Sequence, residues 1–295
     1  MKVAIIGAGN VGAMVASRVI DANLADVVLV DIVPGIAKGK ALDISDTRPI
    51  TNSHSSIVGT EDFSNIKNSD IAVITAGLAR KPGMSRDDLL KKNSEIIKDI
   101  SLKIKDYCPS AIIIVVTNPL DAMSYLVMKT AGLAPKKVIG MAGVLDSARF
   151  INAIRERNKN IADEEVIMMG SHGDTMISIK RAKDLPRGIF NEASEIARNR
   201  GAEIVNHLGT GSAYFAPSAA IFFMLKAIIK DENKTMCAST YLDGQYGEKD
   251  IYIGVPVVLG ASGINKIIEI KLTDKEKQAF KKSALNIRES ISKIL

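Results

Sequence analysis

Short apolar runs alternate with longer amphipathic segments through the first half of the chain. The runs are nearly continuous and rich in β-branched residues, which is typical of strands in a parallel sheet that is covered on both faces. Strands are predicted at residues 3–6, 27–30, 71–75, 111–116 and 138–140. Between them lie helical segments, and the one over 85–107 opens with Ser85 and Asp88 in a variant of the capping box. Repeated units of this kind predict an α/β fold with a doubly wound parallel sheet.

The second half has a less regular pattern. A helix is predicted over 146–157 and long helical segments from 191 to 229, and strands over 166–169, 176–179, 251–259 and 266–270. A capping box at Thr273 and Glu276 opens a last helix, in which apolar residues recur at spacings of four and three from Phe280 to Ile294. Because no Pro-, Gly- or Ser-rich linker separates the halves, we expect a second, α+β domain that shares a cleft with the first.

Composition narrows the classes of function. Of 295 residues, 46% are apolar and 24% are charged, as in ordinary globular proteins. The net charge of +6 is spread along the chain, so no basic arm predicts a nucleic-acid partner. The two cysteines, Cys108 and Cys237, stand in no CxxC context, so we expect neither a disulfide framework nor a metal site.

No segment of the sequence has the length and apolarity of a membrane span. The longest aliphatic run, residues 111–116, falls far below the roughly 18 residues that a span needs. Glycines interrupt the apolar N-terminal run before a signal-peptide core can build up. We therefore expect a cytoplasmic protein without a membrane partner.

A glycine-rich turn, GxGxxG at residues 7–12, follows the first predicted strand and precedes a predicted helix. In that context the first glycine permits the tight turn, the second lets a pyrophosphate approach the backbone, and the third allows close helix–strand contact. Asp31 ends the next predicted strand, 19 residues after Gly12, where a carboxylate accepts the hydroxyls of an adenosine ribose. Because it would also repel a 2′-phosphate, the sequence predicts NAD rather than NADP. A GxxxxGK[ST] phosphate loop and a GxSxG nucleophile elbow are both absent from the sequence.

One of the three histidines stands in a chemically distinctive setting. His172 follows a predicted apolar strand and lies between Gly170 and Gly173, which leave a ligand close access. An imidazole at such a strand end can give and take the proton in alcohol oxidation or ketone reduction near neutral pH. For His54, in a polar segment, and His207, near a predicted helix end, we expect solvated or packing roles.

Six stretches, at residues 7–12, 76–86, 116–121, 145–150, 170–174 and 253–256, resemble the lactate/malate dehydrogenase family, specifically its lactate-dehydrogenase-like malate dehydrogenases. The resemblance runs nearly from end to end. It implies a Rossmann-type NAD-binding domain over 1–143 and a substrate and catalytic domain over 144–295. The implied reaction is reversible hydride transfer between (S)-malate and NAD, giving oxaloacetate and NADH, a step of the tricarboxylic acid cycle.

The resemblance also implies a role for each polar residue of these stretches. His172 would exchange the proton of the reacting oxygen, with Asp146 holding its ring. Arg86 would stabilise the developing alkoxide from a closing loop, and Arg149 would hold the C1 carboxylate with two parallel hydrogen bonds. Asn118 would bond the reacting oxygen or fix the nicotinamide half. Cofactor contacts are implied at Gly7, Gly9, Asn10, Val11, Gly12, Asp31, Asn93, Val116 and Asn118.

Arg80 is expected to select the substrate. Its position tends to be Gln in the lactate dehydrogenases of the family and Arg in the malate dehydrogenases. Oxaloacetate carries a second carboxylate that needs a cation once water is excluded, whereas pyruvate would leave the guanidinium buried and unpaired. Ala213, where lactate dehydrogenases usually have Thr, leaves room for a larger dicarboxylate. A lactate or other 2-hydroxyacid dehydrogenase of the same fold stays the alternative, and a dinucleotide sensor without catalysis is a more distant one.

The sequence departs from the resemblance after Asp174. The segment 175–200 is shorter than in tetrameric relatives, where the corresponding stretch contributes to contacts between dimers. We therefore expect a homo-oligomer of at least two chains, with dimer and tetramer both open.

Overall fold

This computed structural model describes residues 1–78, 84–157, 166–182 and 184–295. Arg80 lies outside the described residues. In the first half, strands and helices alternate: β1 (Lys2–Ile6), α1 (Asn10–Asp21), β2 (Asp26–Val30), α2 (Ile36–Thr51), β3 (Ile57–Thr60), β4 (Ile71–Ile74), α3 (Arg86–Tyr107), β5 (Ile112–Val115), α4 (Leu120–Ala131), β6 (Val138–Gly140) and α5 (Gly143–Arg155). The second half continues with β7 (Val166–Met169), β8 (Ile177–Lys180), α6 (Arg187–Leu208), α7 (Phe215–Ile229), β9 (Lys234–Asp243), β10 (Lys249–Gly260), β11 (Gly263–Ile267) and α8 (Asp274–Ser292).

Nine strands of the described residues form one sheet, in the order β11-β10-β9-β6-β5-β4-β1-β2-β3. The strands from β1 to β6 run parallel, and β4 and β5 are buried along their whole length, as expected where helices cover both faces. The chain changes direction across the sheet at β1, so the carboxyl ends of β1 and β4 flank the crevice in which such sheets bind their ligands. The predicted doubly wound α/β fold is confirmed.

The second half continues this sheet. Gly140 of β6 pairs antiparallel with Ser239 of β9, and β10 and β11 follow as antiparallel neighbours. The separate pair β7–β8 is joined to β10 by reciprocal backbone hydrogen bonds between Gly170 and Gly254, at 2.8 and 3.0 Å. The backbone two residues before His172 is thereby held against the sheet.

Three elements were not predicted from the hydrophobic pattern, for different physical reasons. β3 is a four-residue, half-exposed edge strand, so it lacks a continuous apolar run. α2 has a weak apolar stripe and contains Pro49. β9 contains buried Ser239 and Thr240 among its apolar residues. Its sequence therefore lacks the apolar run that predicts a buried strand, although most of the strand is buried.

Two other predictions differ from the structure in their bounds. The helical segments predicted from 191 to 229 are α6, which begins four residues earlier at Arg187, and α7; they are separated at residues 209–214, where Gly209 and Gly211 have φ values of 70° and 81°. The strand predicted over 266–270 is displaced along the chain, since β11 begins and ends three residues earlier. Both predicted capping boxes are confirmed, at the starts of α3 and α8.

Candidate active site

The turn between β1 and α1 forms an open cradle at the carboxyl edge of the sheet. Gly7 has a φ of +108°, which favours glycine, and a Cβ on Gly12 would overlap the Gly7 carbonyl oxygen. At Gly9, by contrast, no atom lies within 4 Å of the place where a Cβ would be. Gly9 and Asn10 are exposed at the N-terminus of α1, whose N–H groups and dipole attract phosphate, and Val11 is half-buried behind them.

Asp31 and Lys40 flank this turn. Asp31 Oδ2 accepts the Ala8 N–H at 2.7 Å and Oδ1 accepts the Val33 N–H at 3.0 Å, which fixes the half-buried carboxylate beside the glycines. Lys40 Nζ donates to the Ala8 carbonyl at 2.7 Å. Sequence reasoning missed Lys40 because it lies on α2, which the pattern did not predict. The cradle therefore carries one anionic and one cationic side chain.

A histidine–carboxylate pair lies at the junction of the two halves. His172 Nδ1 is 2.8 Å from Asp146 Oδ2, and the Asp146 side chain, in the first turn of α5, is 4% exposed. The carboxylate that orients the ring is therefore shielded from water. Because Nδ1 faces Asp146, Nε2 is the ring nitrogen left for a substrate. The structure brings these two predicted residues together.

Arg149 lies one helical turn beyond Asp146. Its Nη1 is 3.8 Å from Asp146 Oδ1, and its side chain is 13% exposed. Within the described ranges, neither Arg149 Nε nor Asp146 Oδ1 has a hydrogen-bond partner. A buried donor without a partner costs free energy, so this geometry fits an anionic ligand that a guanidinium holds with two donors.

A cavity of about 420 Å³ opens beside His172. Arg86 at the start of α3, Asn118 before α4 and one face of α8 help to line it. Arg86 forms an ion pair with Asp174, and the two side chains are 73% and 74% exposed. Pairs this exposed contribute about 0–1 kcal/mol, so a substrate anion can replace Asp174 at little cost.

Asn93 is fully buried behind the predicted cofactor groove. Its Oδ1 accepts the Leu78 N–H at 2.8 Å, and its Nδ2 donates to the carbonyls of Leu78 and Asn118 at 3.2 and 2.7 Å. Asn93 therefore links, by hydrogen bonds, the two backbone segments that follow β4 and β5. A direct contact between Asn93 and the cofactor stays a prediction. Val116, half-buried, directly follows β5, and Asn118 is exposed to the cavity.

Comparison with known proteins identifies the family. Residues 1–140 match the model of the lactate/malate dehydrogenase NAD-binding domain, and residues 143–295 match that of the lactate/malate dehydrogenase alpha/beta C-terminal domain. The chain belongs to the lactate/malate dehydrogenase family. The resemblance seen in the sequence is thus confirmed, and this family member is an NAD-dependent oxidoreductase.

Individual relatives match over their whole length. Malate dehydrogenase of Methanosarcina mazei is 46% identical over 304 residues, which covers 100% of this chain and 99% of that protein. The crystal structure of Cryptosporidium parvum malate dehydrogenase has a TM-score of 0.94 and 37% identity, covering 99% of this chain and 98% of that one. Lactate dehydrogenase of the same organism, with lactic acid and nicotinamide adenine dinucleotide, has a TM-score of 0.94 and 36% identity, covering 99% and 97%. The overall fold therefore does not separate the two substrate classes within the family.

NAD, the cofactor of this dehydrogenase, fits the cradle. Open space at Gly9 and the exposed first turn of α1 leave room for the pyrophosphate, while the carboxylate of Asp31 stands where the ribose hydroxyls would bind. The carboxyl ends of β1, β4 and β5 lie along one edge of the sheet, which leads from this cradle toward Asn118. The nicotinamide end would thus point toward the cavity beside His172.

The cradle predicts opposite effects for alanine at two of its glycines. Gly9→Ala should leave the melting temperature within about 2 °C of the parent, because space is open there, but should weaken NADH binding at least about tenfold by obstructing the pyrophosphate. Gly12→Ala should lower the melting temperature clearly, because the methyl group overlaps the Gly7 carbonyl. Thermal unfolding and NADH fluorescence titration measure both effects.

Gly39→Ala on α2 is the matched control, since nothing lies within 4 Å of its Cβ position either. It should leave NADH affinity unchanged and keep or slightly raise the melting temperature, because alanine favours a helix interior. Equal loss of NADH affinity in Gly39→Ala and Gly9→Ala would contradict the assignment of the cradle.

The charges around His172 favour its protonated form. Burial alone would lower the pKa of His172, but the charge of Asp146, the hydrogen bond with Asp146 and the charge of Asp121 together raise it above its usual value. Burial lowers the pKa of the Arg149 guanidinium, which nevertheless stays charged near neutral pH. The imidazolium that proton donation requires is therefore accessible near neutral pH.

The described residues contain no group of three or more His, Cys, Asp or Glu side chains that could hold a metal ion. None of their helices is long and apolar enough to cross a membrane.

Proposed function

We propose that the chain is an NAD-dependent malate dehydrogenase that interconverts (S)-malate and oxaloacetate. The observation that carries this proposal is the buried Arg149–Asp146–His172 arrangement next to the cavity that Arg86 enters. It supplies a carboxylate clamp, an oriented imidazole and a displaceable cation, which are the groups that oxidation of a 2-hydroxy acid needs. Relatives named malate dehydrogenase that match 100% of the chain support the same function.

Each residue then has a step in the reaction. The glycine turn at residues 7–12 and Asp31 would hold NAD, which would supply the hydride acceptor for C2 of malate. Nε2 of neutral His172 takes the hydroxyl proton as the carbonyl forms, and in the reverse direction the imidazolium returns a proton to the keto oxygen. Asp146 holds the ring through Nδ1 and stabilises the imidazolium. Arg149 binds the C1 carboxylate with two parallel hydrogen bonds from its guanidinium.

Arg86 and Asn118 act on the reacting oxygen. Arg86 exchanges its exposed partner Asp174 for the oxygen whose negative charge grows during hydride transfer. Asn118 faces the same cavity, and its backbone carbonyl is held by the buried amide of Asn93. Both contacts support the proposed role of Asn118 between the substrate and the nicotinamide half of the cofactor.

The choice of substrate rests on Arg80. With NADH as reductant, we expect kcat/KM for oxaloacetate to exceed that for pyruvate by about 10³ or more, because pyruvate leaves the Arg80 guanidinium without an anion. Steady-state rates with both keto acids measure the ratio. A preference for pyruvate would instead favour the lactate dehydrogenase alternative.

The remaining proposals concern organisation. We propose that residues 1–143 are the NAD-binding unit and 144–295 the substrate unit, consistent with the two matched family models. We further propose a cytoplasmic homo-oligomer, without nucleic-acid or membrane partner, that serves the tricarboxylic acid cycle. The exposed apolar residues of α2, Leu42 at 60% and Ile50 at 85%, support self-association, and light scattering with sedimentation distinguishes dimer from tetramer.

A further inference from the structure

A second buried carboxylate lies behind His172. Asp121, in the first turn of α4, is 5% exposed. Its Oδ2 accepts the backbone N–H of His172 at 3.0 Å, and its Oδ1 accepts the hydroxyl of Ser239 at 2.7 Å. The side chain therefore joins three segments that are far apart in the sequence: α4, the loop after β7, and β9.

We propose that Asp121 is a positioning residue that fixes the backbone of His172 and, as an anion, stabilises the imidazolium. The inference rests on the proposed function, since it concerns the proton exchanged by His172 in that reaction. Asp121 itself touches neither the ring nitrogens nor the reacting oxygen. It acts through His172, by its hydrogen bond to the backbone N–H, whereas Asp146 bonds the ring at Nδ1.

His172 is the main cation available to balance the negative charge of Asp121. In the described part of the chain, no Lys or Arg forms an ion pair with Asp121, whereas Asp146 has Arg149 beside it. At the mouth of the cavity, Arg86 is engaged by Asp174. The imidazolium of His172 is therefore the cation that interacts most strongly with the carboxylate of Asp121.

The titration of the two groups agrees with this geometry. Burial raises the pKa of Asp121 to about 6, although the hydrogen bonds from Ser239 and His172 lower it. The charge of Asp121 in turn contributes to the raised pKa of His172, after that of Asp146. Each group thus favours the charged form of the other, and the two protonation equilibria are coupled near neutral pH.

The two directions of the reaction need opposite forms of His172. Reduction of oxaloacetate needs the imidazolium, and oxidation of malate needs the neutral imidazole. Loss of the Asp121 charge lowers the pKa of His172, which depletes the imidazolium at high pH and enriches the neutral ring at low pH. A purely structural role of Asp121 would slow both directions alike.

Asp121→Asn keeps the shape of the side chain and removes its charge; its oxygen can still accept the His172 N–H, while its amide N–H can donate to the Ser239 hydroxyl, which then accepts. We expect the pKa seen in the kcat/KM profiles of both directions to fall by about one unit. Relative to its value at pH 6, oxaloacetate reduction at pH 8 should drop about fivefold further than in the parent enzyme. Malate oxidation at pH 6, relative to pH 8, should rise about fivefold.

Asp87→Asn is the matched control. Asp87 lines the same cavity but is exposed and paired with Lys293 at 2.9 Å, so removing its charge should leave the pKa in the kinetic profiles unchanged. Ser239→Ala removes the bond that lowers the pKa of Asp121, and it should shift the kinetic pKa in the same direction as Asp121→Asn by a smaller amount.

Equal losses in both directions with an unshifted pKa in Asp121→Asn would overturn the proposal. If that variant does not fold, an unshifted profile in Ser239→Ala would overturn it instead. The parent enzyme separates this test from that of the function, because absence of NADH-dependent oxaloacetate reduction in the parent refutes the malate dehydrogenase assignment whatever Asp121 does.

Discussion

His172→Asn should lower kcat for oxaloacetate reduction by about 10³-fold, because removal of a positioned acid–base group costs 10²–10⁴ in rate. Asn can still donate to Asp146 from its amide, so the buried carboxylate keeps a partner and the fold is preserved. In the proposed site the glycine cradle holds the pyrophosphate of NADH and His172 bonds the substrate rather than the cofactor, so NADH affinity should stay within about twofold of the parent. Stopped-flow single turnovers and NADH fluorescence titration separate the two quantities.

His54→Asn is the matched control for this experiment. His54 is exposed, and its backbone N–H, not its ring, bonds to Asn23. The control should retain full turnover. Undiminished turnover in His172→Asn would refute the assigned proton donor, and NADH binding without turnover in the parent protein would favour the dinucleotide sensor.

Arg80→Gln should reduce the ratio of kcat/KM for oxaloacetate to that for pyruvate by about 10³. The change removes the cation that pairs with the second carboxylate of oxaloacetate, and it also removes the unpaired charge that penalises pyruvate. Both effects move the ratio in the same direction, so the expected change is larger than that from either alone. Steady-state rates with saturating NADH and varied keto acid give the ratio.

Lys81→Gln removes one positive charge from the neighbouring position and serves as the matched control. It should leave the ratio within about threefold of the parent, because net charge alone acts on both substrates through screened, long-range attraction. A similar loss of discrimination in both variants would assign the selectivity to the general field of the cavity rather than to Arg80.

The parallel sheet was predictable because strands that are buried on both faces are apolar at every position, and this can be recognised from the local sequence. Runs such as that of β5 are apolar at every position, which only a doubly covered strand requires. β3 and β9 escaped prediction because their strand character depends on neighbours: β3 adds to the sheet edge beside β2, and β9 buries Ser239 against the carboxylate of Asp121. A serine or threonine makes a segment look exposed in the sequence, even where its hydroxyl is buried and hydrogen-bonded in the folded protein.

The candidate site divides in the same way. The glycine turn and the strand-end histidine can be recognised locally, since the chemistry demands particular residues at short spacing. The pairing of His172 with Asp146 came from the family resemblance, and the structure brings the two side chains together. Asn93 shows the limit of such inference, because its predicted place in the groove gave no sign that its amide would be fully buried and bonded to backbone.

The sequence by itself determined the parallel architecture of the first half and led to the proposals of an NAD cradle at residues 7–12 and of His172 as proton carrier, because each depends on local periodicity or on a short motif. Only the tertiary structure decided that the second half extends the same sheet, that Arg86 rests on Asp174, and that Asp121 lies beneath His172. These contacts join residues between 51 and 118 positions apart. Their energies depend on burial and on the charges nearby, which exist only once the chain has folded.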